Sequence, residues 1–295
     1  MQKQESFDVN IFEDKGDFDF YKIDEEDVTI SYIHKIICEY RNKQENPRPF
    51  VKTVEVAKNV TGSADGRVWV PIRGNLHGLF AYPLKMFKNY FEEEMFPLYS
   101  DYAVLETFNH FAPGQYIMKF PNDVVCREHR KKTSGILNRR AFGFAITGMG
   151  GNLIAVPGEN ELRKMGSGAC CLSNHCDKVP TQEEWMCEYY KKLMKIMKEY
   201  DTVDKIVEHQ NLVFNEYENN YKMSINNPNA DLEKDGTFWT QEYPNALFKV
   251  DHKGMRYQYF KSEYDPIHFK LKGDPDKEKP YHLKYEYIKI DDANK

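Results

Sequence analysis

The chain predicts an α+β fold in two layers: a mixed, largely antiparallel sheet with helices packed on one side, and a small β domain at the C-terminal end. Three observations carry this. Apolar runs of strand length follow one another between Ile117 and Asn152, separated by turn residues. Two stretches, Pro97 to Phe111 and Thr181 to Met197, instead repeat apolar residues at helical spacing. The tail from Asp235 to Asp291 alternates aromatic and polar residues, as in Tyr257-Gln258-Tyr259-Phe260 and Tyr285-Glu286-Tyr287-Ile288. A length of 295 residues suffices for one large domain and a small one.

In chain order, residues 1–15 read as a charged, mobile lead. Phe18 to Ile23 has the length of an edge strand, and Asp27 is placed to cap a helix with Ile30, Ile33, Ile37 and Tyr40 on one face. Phe50 to Ala57 is β-branched and alternating, hence a strand, and leads into the polar loop Asn59 to Trp69. Leu84 to Met95 predicts a short helix and Pro97 to Phe111 a better one, with Tyr102, Leu105, Phe108 and Phe111 facing the core. His77 and His110 read as ordinary surface or core histidines.

The next span concentrates chemistry. Pro121 interrupts an extended apolar segment and pushes Lys119-Phe120 into extended geometry, after which Asn122-Asp123 offers a turn-forming carboxamide and a carboxylate. Cys126 to Lys132 predicts a hairpin loop into a strand from Thr133 to Asn138. Phe142, Phe144 and Ile146 predict a third strand, running into a turn at Gly148 to Gly151. Adjacent strands would bring Lys119, Asp123, Lys132 and Asn152 within reach of one another. Two lysines suit a carboxylate or phosphate, and the carboxylate suits magnesium or an amine.

Beyond it, Thr181-Gln182-Glu183-Glu184 is a capping box opening a helix with Trp185, Tyr189, Leu193 and Met197 inward. A second helix is predicted from about Val203 to Tyr221. The cluster Asn226 to Asn229 marks a boundary near Asn227, giving a main domain over 16–227 and a β domain over 228–295.

The net charge of -5 and a pI near 6.0 argue against a nucleic-acid binder. No run reaches the roughly 18 apolar residues of a membrane span. The N-terminus carries acidic residues and no long apolar run, so neither a secretory signal nor an Arg-rich transit peptide is expected, and a cytoplasmic location is. Six cysteines without scaffold spacing predict reduced thiols; Cys170-Cys171 with His175-Cys176 offers zinc-type side chains but not the paired spacing typical of zinc sites.

Three motifs stand in order: KFPND at Lys119 to Asp123, KTSGIL at Lys132 to Leu137, and GMGGN at Gly148 to Asn152. In this the chain closely resembles the catalytic domain of biotin protein ligases, whose signature is Lys-Trp-Pro-Asn-Asp, Lys-x-x-Gly-Ile-Leu and Gly-x-Gly-x-Asn. The resemblance implies a fold like that of class II aminoacyl-tRNA synthetases and biotin ligases. It also implies formation of biotinyl-adenylate from biotin and ATP, then transfer to a carrier lysine. Lys132 would hold the biotin carboxylate and α-phosphate, and Lys119 would add positive potential. Asn122 and Asp123 would orient ATP and magnesium, Asp123 as the candidate metal ligand. Asn152, with Gly135, Gly148 and Gly150, would shape the nucleotide pocket.

Two departures stand beside these matches. The family's Ser-Thr-Asn turn, whose hydroxyls hold the biotin ureido ring, is replaced by Asp24-Glu25-Glu26-Asp27. The family's arginine-rich loop keeps Gly66, Arg67 and Trp69 but shows Gly62, Ser63 and Ala64 where earlier arginines and a glycine would be. Each lost arginine removes charge-assisted bonds of about 1.5 to 3 kcal/mol from the adenylate. Two readings therefore stay open: a divergent biotin protein ligase acting on a biotin carboxyl carrier domain, and an inactive pseudo-ligase serving as a subunit among other proteins. A lipoate ligase comes third, because KFPND is the biotin type of the motif.

Overall fold

The computed structural model describes residues 11–27, 48–58, 69–88, 90–119, 122–141, 143–161 and 168–217, together with strand segments at 223–225, 236–239, 247–250, 256–261 and 283–289. The main sheet has eight strands: β1 (Ile11–Asp14), β2 (Asp19–Asp27), β3 (Phe50–Lys58), β4 (Leu76–Pro83), β5 (Tyr116–Lys119), β6 (Asp123–Cys126), β7 (Lys132–Ala141) and β8 (Phe144–Gly151). Their order is β1-β2-β3-β4-β8-β7-β6-β5, antiparallel except for the parallel pair β2–β3. Among the described residues the helices are α1 (Tyr90–Phe111), α2 (Gln182–Glu199) and α3 (Val203–Asn215). The α+β class is the one the sequence predicts.

Alternation divides the sheet cleanly. Val51, Leu76, Phe80, Ala145, Met149 and Ile136 point to the helix-covered face and join one core with Phe96, Tyr99, Phe108, Trp185 and Tyr189. Phe50, Leu79, Ala81, Phe144 and Ile146 point to the opposite face and form a smaller cluster. A polar seam crosses the larger core. Ser100 Oγ meets Thr147 Oγ1 at 2.7 Å and Tyr189 OH at 2.8 Å, Thr147 donates to Asn138, and the Asn138 amide donates to Asp101 at 2.7 Å. Burial raises Asp101 well above the ordinary carboxylate range, partly opposed by the Asn138 bond.

The expected capping box at Thr181 is present in both arms, a device worth about 1 kcal/mol. Elsewhere the boundaries shift. The predicted helices over 84–95 and 97–111 resolve into a 3-10 turn at Leu84–Met86 and one continuous α1 that runs through Pro97. The proline removes one helical bond, and burial of Met95, Phe96, Leu98 and Tyr99 on either side offsets it. The expected edge strand is the interior strand β2, and Asp24 to Asp27, read as a turn, are its last residues. Ile11–Asp14, within the expected mobile lead, pairs with β2 as β1. Gly148 to Gly151, read as a turn, continue β8 to its end, while the β7–β8 connection uses Gly143 at φ 82°. The helix predicted after Asp27 lies outside the described residues.

A second sheet of five strands holds β9 (Met223–Ile225), β10 (Gly236–Trp239), β11 (Leu247–Val250), β12 (Arg256–Lys261) and β13 (Leu283–Lys289), in the order β13-β12-β11-β10-β9. It is antiparallel apart from the parallel pair β9–β10. Met223–Ile225 precedes the boundary expected near Asn227, yet pairs with this sheet. Among the described residues no helix is long and apolar enough to cross a membrane.

Candidate active site

The site grows from a change of side-chain size along β8. On the face away from the helices, which we call the open face, Phe144 and Ile146 are followed by Gly148 and Gly150, so the apolar floor ends in a stretch of strand without side chains, the trough. A Cβ on Gly148 would first meet Leu137 O at 3.8 Å, whereas one on Gly150 would stand 2.8 Å from the Trp69 indole. Trp69 therefore lies against Gly150, and only glycine permits that approach. Gly135 on β7 pairs with Gly150 and extends the floor sideways.

Lys132 reaches this floor because β7 carries a bulge. Ser134 pairs with Val124 but Lys132 pairs with Val125, which leaves Thr133 as the extra residue. Simple alternation would send Lys132 to the helix side with Ser134. The bulge turns it to the open face, where its stem passes over Gly135, with Nζ 3.0 Å from where a Cβ would be. There the ammonium meets Asp123 Oδ1 at 2.6 Å and stands 6.0 Å from the Trp69 ring centre. Both partners of the ion pair are partly exposed, so its contribution to stability is about 0–1 kcal/mol and either partner can exchange it for a ligand.

The other expected residues divide. Lys119 stands opposite Asp123 in register, and its ammonium lies 5.9 Å from the Tyr217 ring centre. Asn122, just before β6, ties the β5–β6 connection to β7, its amide donating to Ile136 O while its backbone carbonyl accepts from Ile136 N. Asn152 is buried and donates to Cys170 O at 3.2 Å. Asn75 organises the chain beside it by accepting from the backbone N–H groups of Leu153, Ile154 and Ala155. These asparagines hold backbone in place. Gly66 and Arg67 lie outside the described residues.

Two further residues stand on this face: Lys52, for which the sequence predicts no role, and His77, which reads there as an ordinary surface or core histidine. Lys52 stands between Phe50 and Val54 on that face of β3, and burial lowers its pKa to about 6. His77 stands beside Gly150 in register. Burial lowers its pKa to about 4, partly opposed by the bond to Val54 O at 3.3 Å. His77 Nε2 and Trp69 Nε1 are buried without a hydrogen-bond partner among the described residues. Two unsatisfied polar nitrogens flanking one glycine mark a place where a polar ligand would be welcome. A lysine at an inward position of an alternating strand is the available sequence signal for Lys52.

No protein-family model matches the chain, and no curated protein matches its sequence. Its fold is similar to solved structures. One is the biotin protein ligase of Leishmania major in complex with biotin, at 17% identity over 82% of this chain and 94% of that chain, with a TM-score of 0.54. Another is the biotin acetyl coenzyme A carboxylase synthetase of Helicobacter pylori with bound biotinylated ATP, at 15% identity, 80% and 94% coverage and a TM-score of 0.52. The chain has the biotin protein ligase fold.

Proposed function

We propose that this chain is an ATP-dependent biotin ligase that makes biotinyl-adenylate and passes biotin to a lysine of a carrier domain. The observation that carries the proposal is the bulge at Thr133, which puts the Lys132 ammonium over a glycine floor, on a carboxylate it can leave. A bulge that only completed a sheet would have no need to turn a charge toward a trough.

In this reading Lys132 exchanges Asp123 for the carboxylate of biotin and the α-phosphate of ATP. It stabilises the charge that builds up as a carboxylate oxygen attacks phosphorus and pyrophosphate departs. The amine of a carrier lysine then attacks the carbonyl carbon of the mixed anhydride, and AMP leaves. Lys119 adds positive potential at the rim, Trp69 walls the trough, and Asn122 and Asn152 fix the backbone around it. Gly66 and Arg67 would contact the adenylate. Among the described residues no trio of carboxylates gathers at Asp123, so the site suits a magnesium ion shared with the phosphates of ATP rather than one held by protein alone. Such an ion would neutralise phosphate charge, with Asp123 as its protein ligand. The test is biotinylation of an isolated carrier domain: Lys132→Ala should abolish it, and unchanged labelling would remove Lys132 from the chemistry.

One observation favours a second reading, a pseudo-ligase acting as a subunit of a larger assembly. Lys132 is already paired with Asp123, and Asn122 and Asn152 are spent on backbone, so these three motif residues have partners without a ligand. Native mass of the protein from its source separates the two, since permanent residence in a large complex without labelling activity belongs to the scaffold alone.

A further inference from the structure

On the helix-covered side of the sheet, behind the strand that carries Lys132, three soft ligands converge from separate parts of the chain. Cys126 ends β6, and Cys170 and His175 come from the segment leading to α2. Cys126 Sγ lies 3.5 Å and Cys170 Sγ 3.3 Å from His175 Nε2, and the three donor atoms are all within 4.8 Å of one another. Tetrahedral zinc with bonds of about 2.3 Å to sulfur and 2.0–2.1 Å to nitrogen needs sulfur–nitrogen edges of roughly 3.6 Å. The side chains stand near those edges.

We propose that Cys126, Cys170 and His175 form a zinc site, with water in the fourth position. Cys126 and Cys170 are buried and His175 is partly exposed, which leaves the ion a way in. The set is not the adjacent quartet that the sequence offered. Cys171 Sγ instead donates to Asn174 Oδ1 at 2.7 Å, and Cys176 Sγ donates to Leu172 O. Binding releases the two thiol protons to solvent and leaves two thiolates and a neutral imidazole on the ion.

The position gives the ion a structural task. Cys126 N donates to Lys131 O and Cys170 N donates to Lys132 O, so the two sulfur ligands grip the start of β7 from both sides. Zinc would clamp the β6 end to the 168–175 segment and hold Lys132 in place across the sheet. The site stands or falls independently of the ligase reading, because it uses none of the residues on the open face.

The test is metal analysis of the full chain purified under reducing conditions without chelator. It is joined by zinc titration against a chromophoric chelator and cobalt substitution read in the near-ultraviolet thiolate band. The expected result is one zinc per chain, a cobalt spectrum with two thiolates, and an affinity lowered at least about a hundredfold by Cys126→Ser, Cys170→Ser or His175→Ala. Should these variants fail to fold, the cobalt spectrum of the unaltered chain decides alone. Three results would overturn the site: substoichiometric metal with no thiolate band, variants that keep full affinity, or a Cys126–Cys170 disulfide in the protein as isolated.

Discussion

The two halves of β8 share one backbone geometry and do opposite work. At its start, Phe144 and Ile146 fill the open face with Phe50, Leu79 and Ala81, and the sheet there is sealed. At its end, Gly148 and Gly150 bring no side chain to the same face, and a charged pair, an indole and a buried histidine gather there instead. The helix-covered face does not change along the strand, since Ala145, Thr147 and Met149 stay buried throughout. A site can thus be cut into a stable sheet by omitting side chains on one face, while the opposite face keeps the fold.

If that division holds, substitutions should separate stability from binding according to the face they touch. The largest effect belongs to the covered face: Phe80→Ala, fully buried against Phe96 and Tyr189, should cost about 3–5 kcal/mol in denaturant unfolding. Next comes Gly150→Ala, whose Cβ would meet the Trp69 indole at 2.8 Å. It should cost about 1–3 kcal/mol and shift Trp69 fluorescence as the ring is displaced. Gly148→Ala, with its first contact at 3.8 Å, is the control on the same strand and face. It should stay within about 0.5 kcal/mol of the unaltered protein in the same assay; equal costs at the two glycines would break the comparison.

A pH series sharpens it from the other end of the sheet. Burial lowers Lys52 from 10.5 to about 6, so between those values the unfolded chain holds a proton that the folded chain lacks. Stability should therefore rise as pH climbs above about 6, because the unfolded state binds more protons in that window. Lys52→Met should flatten this rise in melting temperature. A variant whose pH profile matches that of the unaltered chain would show that Lys52 keeps its charge in the folded state.

Legibility in the sequence followed the range of the interactions involved. The capping box at Thr181 and the inward stripe of α2 are local and were read correctly. The break expected at Pro97 was not, because tertiary burial of α1 outweighs one missing helical bond. GMGGN was recognised as a motif but given the wrong local structure: glycines suggest a turn, and nothing local says that β4 and β7 will pair with them on either side. Lys132 and Asp123 were named together, yet the bulge that makes them meet depends on register against β6 and could not be seen. Cys126 was missed as a partner of Cys170 and His175 for the same reason, since its contacts come only from the folded sheet.

The Lys132–Asp123 pair over the glycine floor is proposed as a ligand site held in waiting. The most direct test is a calorimetric titration of the purified chain with biotin, magnesium-ATP and a non-hydrolysable biotinyl-adenylate mimic, repeated on Lys132→Ala. Binding of the mimic is expected at micromolar affinity or tighter, weakened by about 1.5–3 kcal/mol in the variant while its unfolding midpoint barely moves. Absence of heat with all three ligands, or equal affinity in the variant, would contradict it and leave the trough a vestige of the fold.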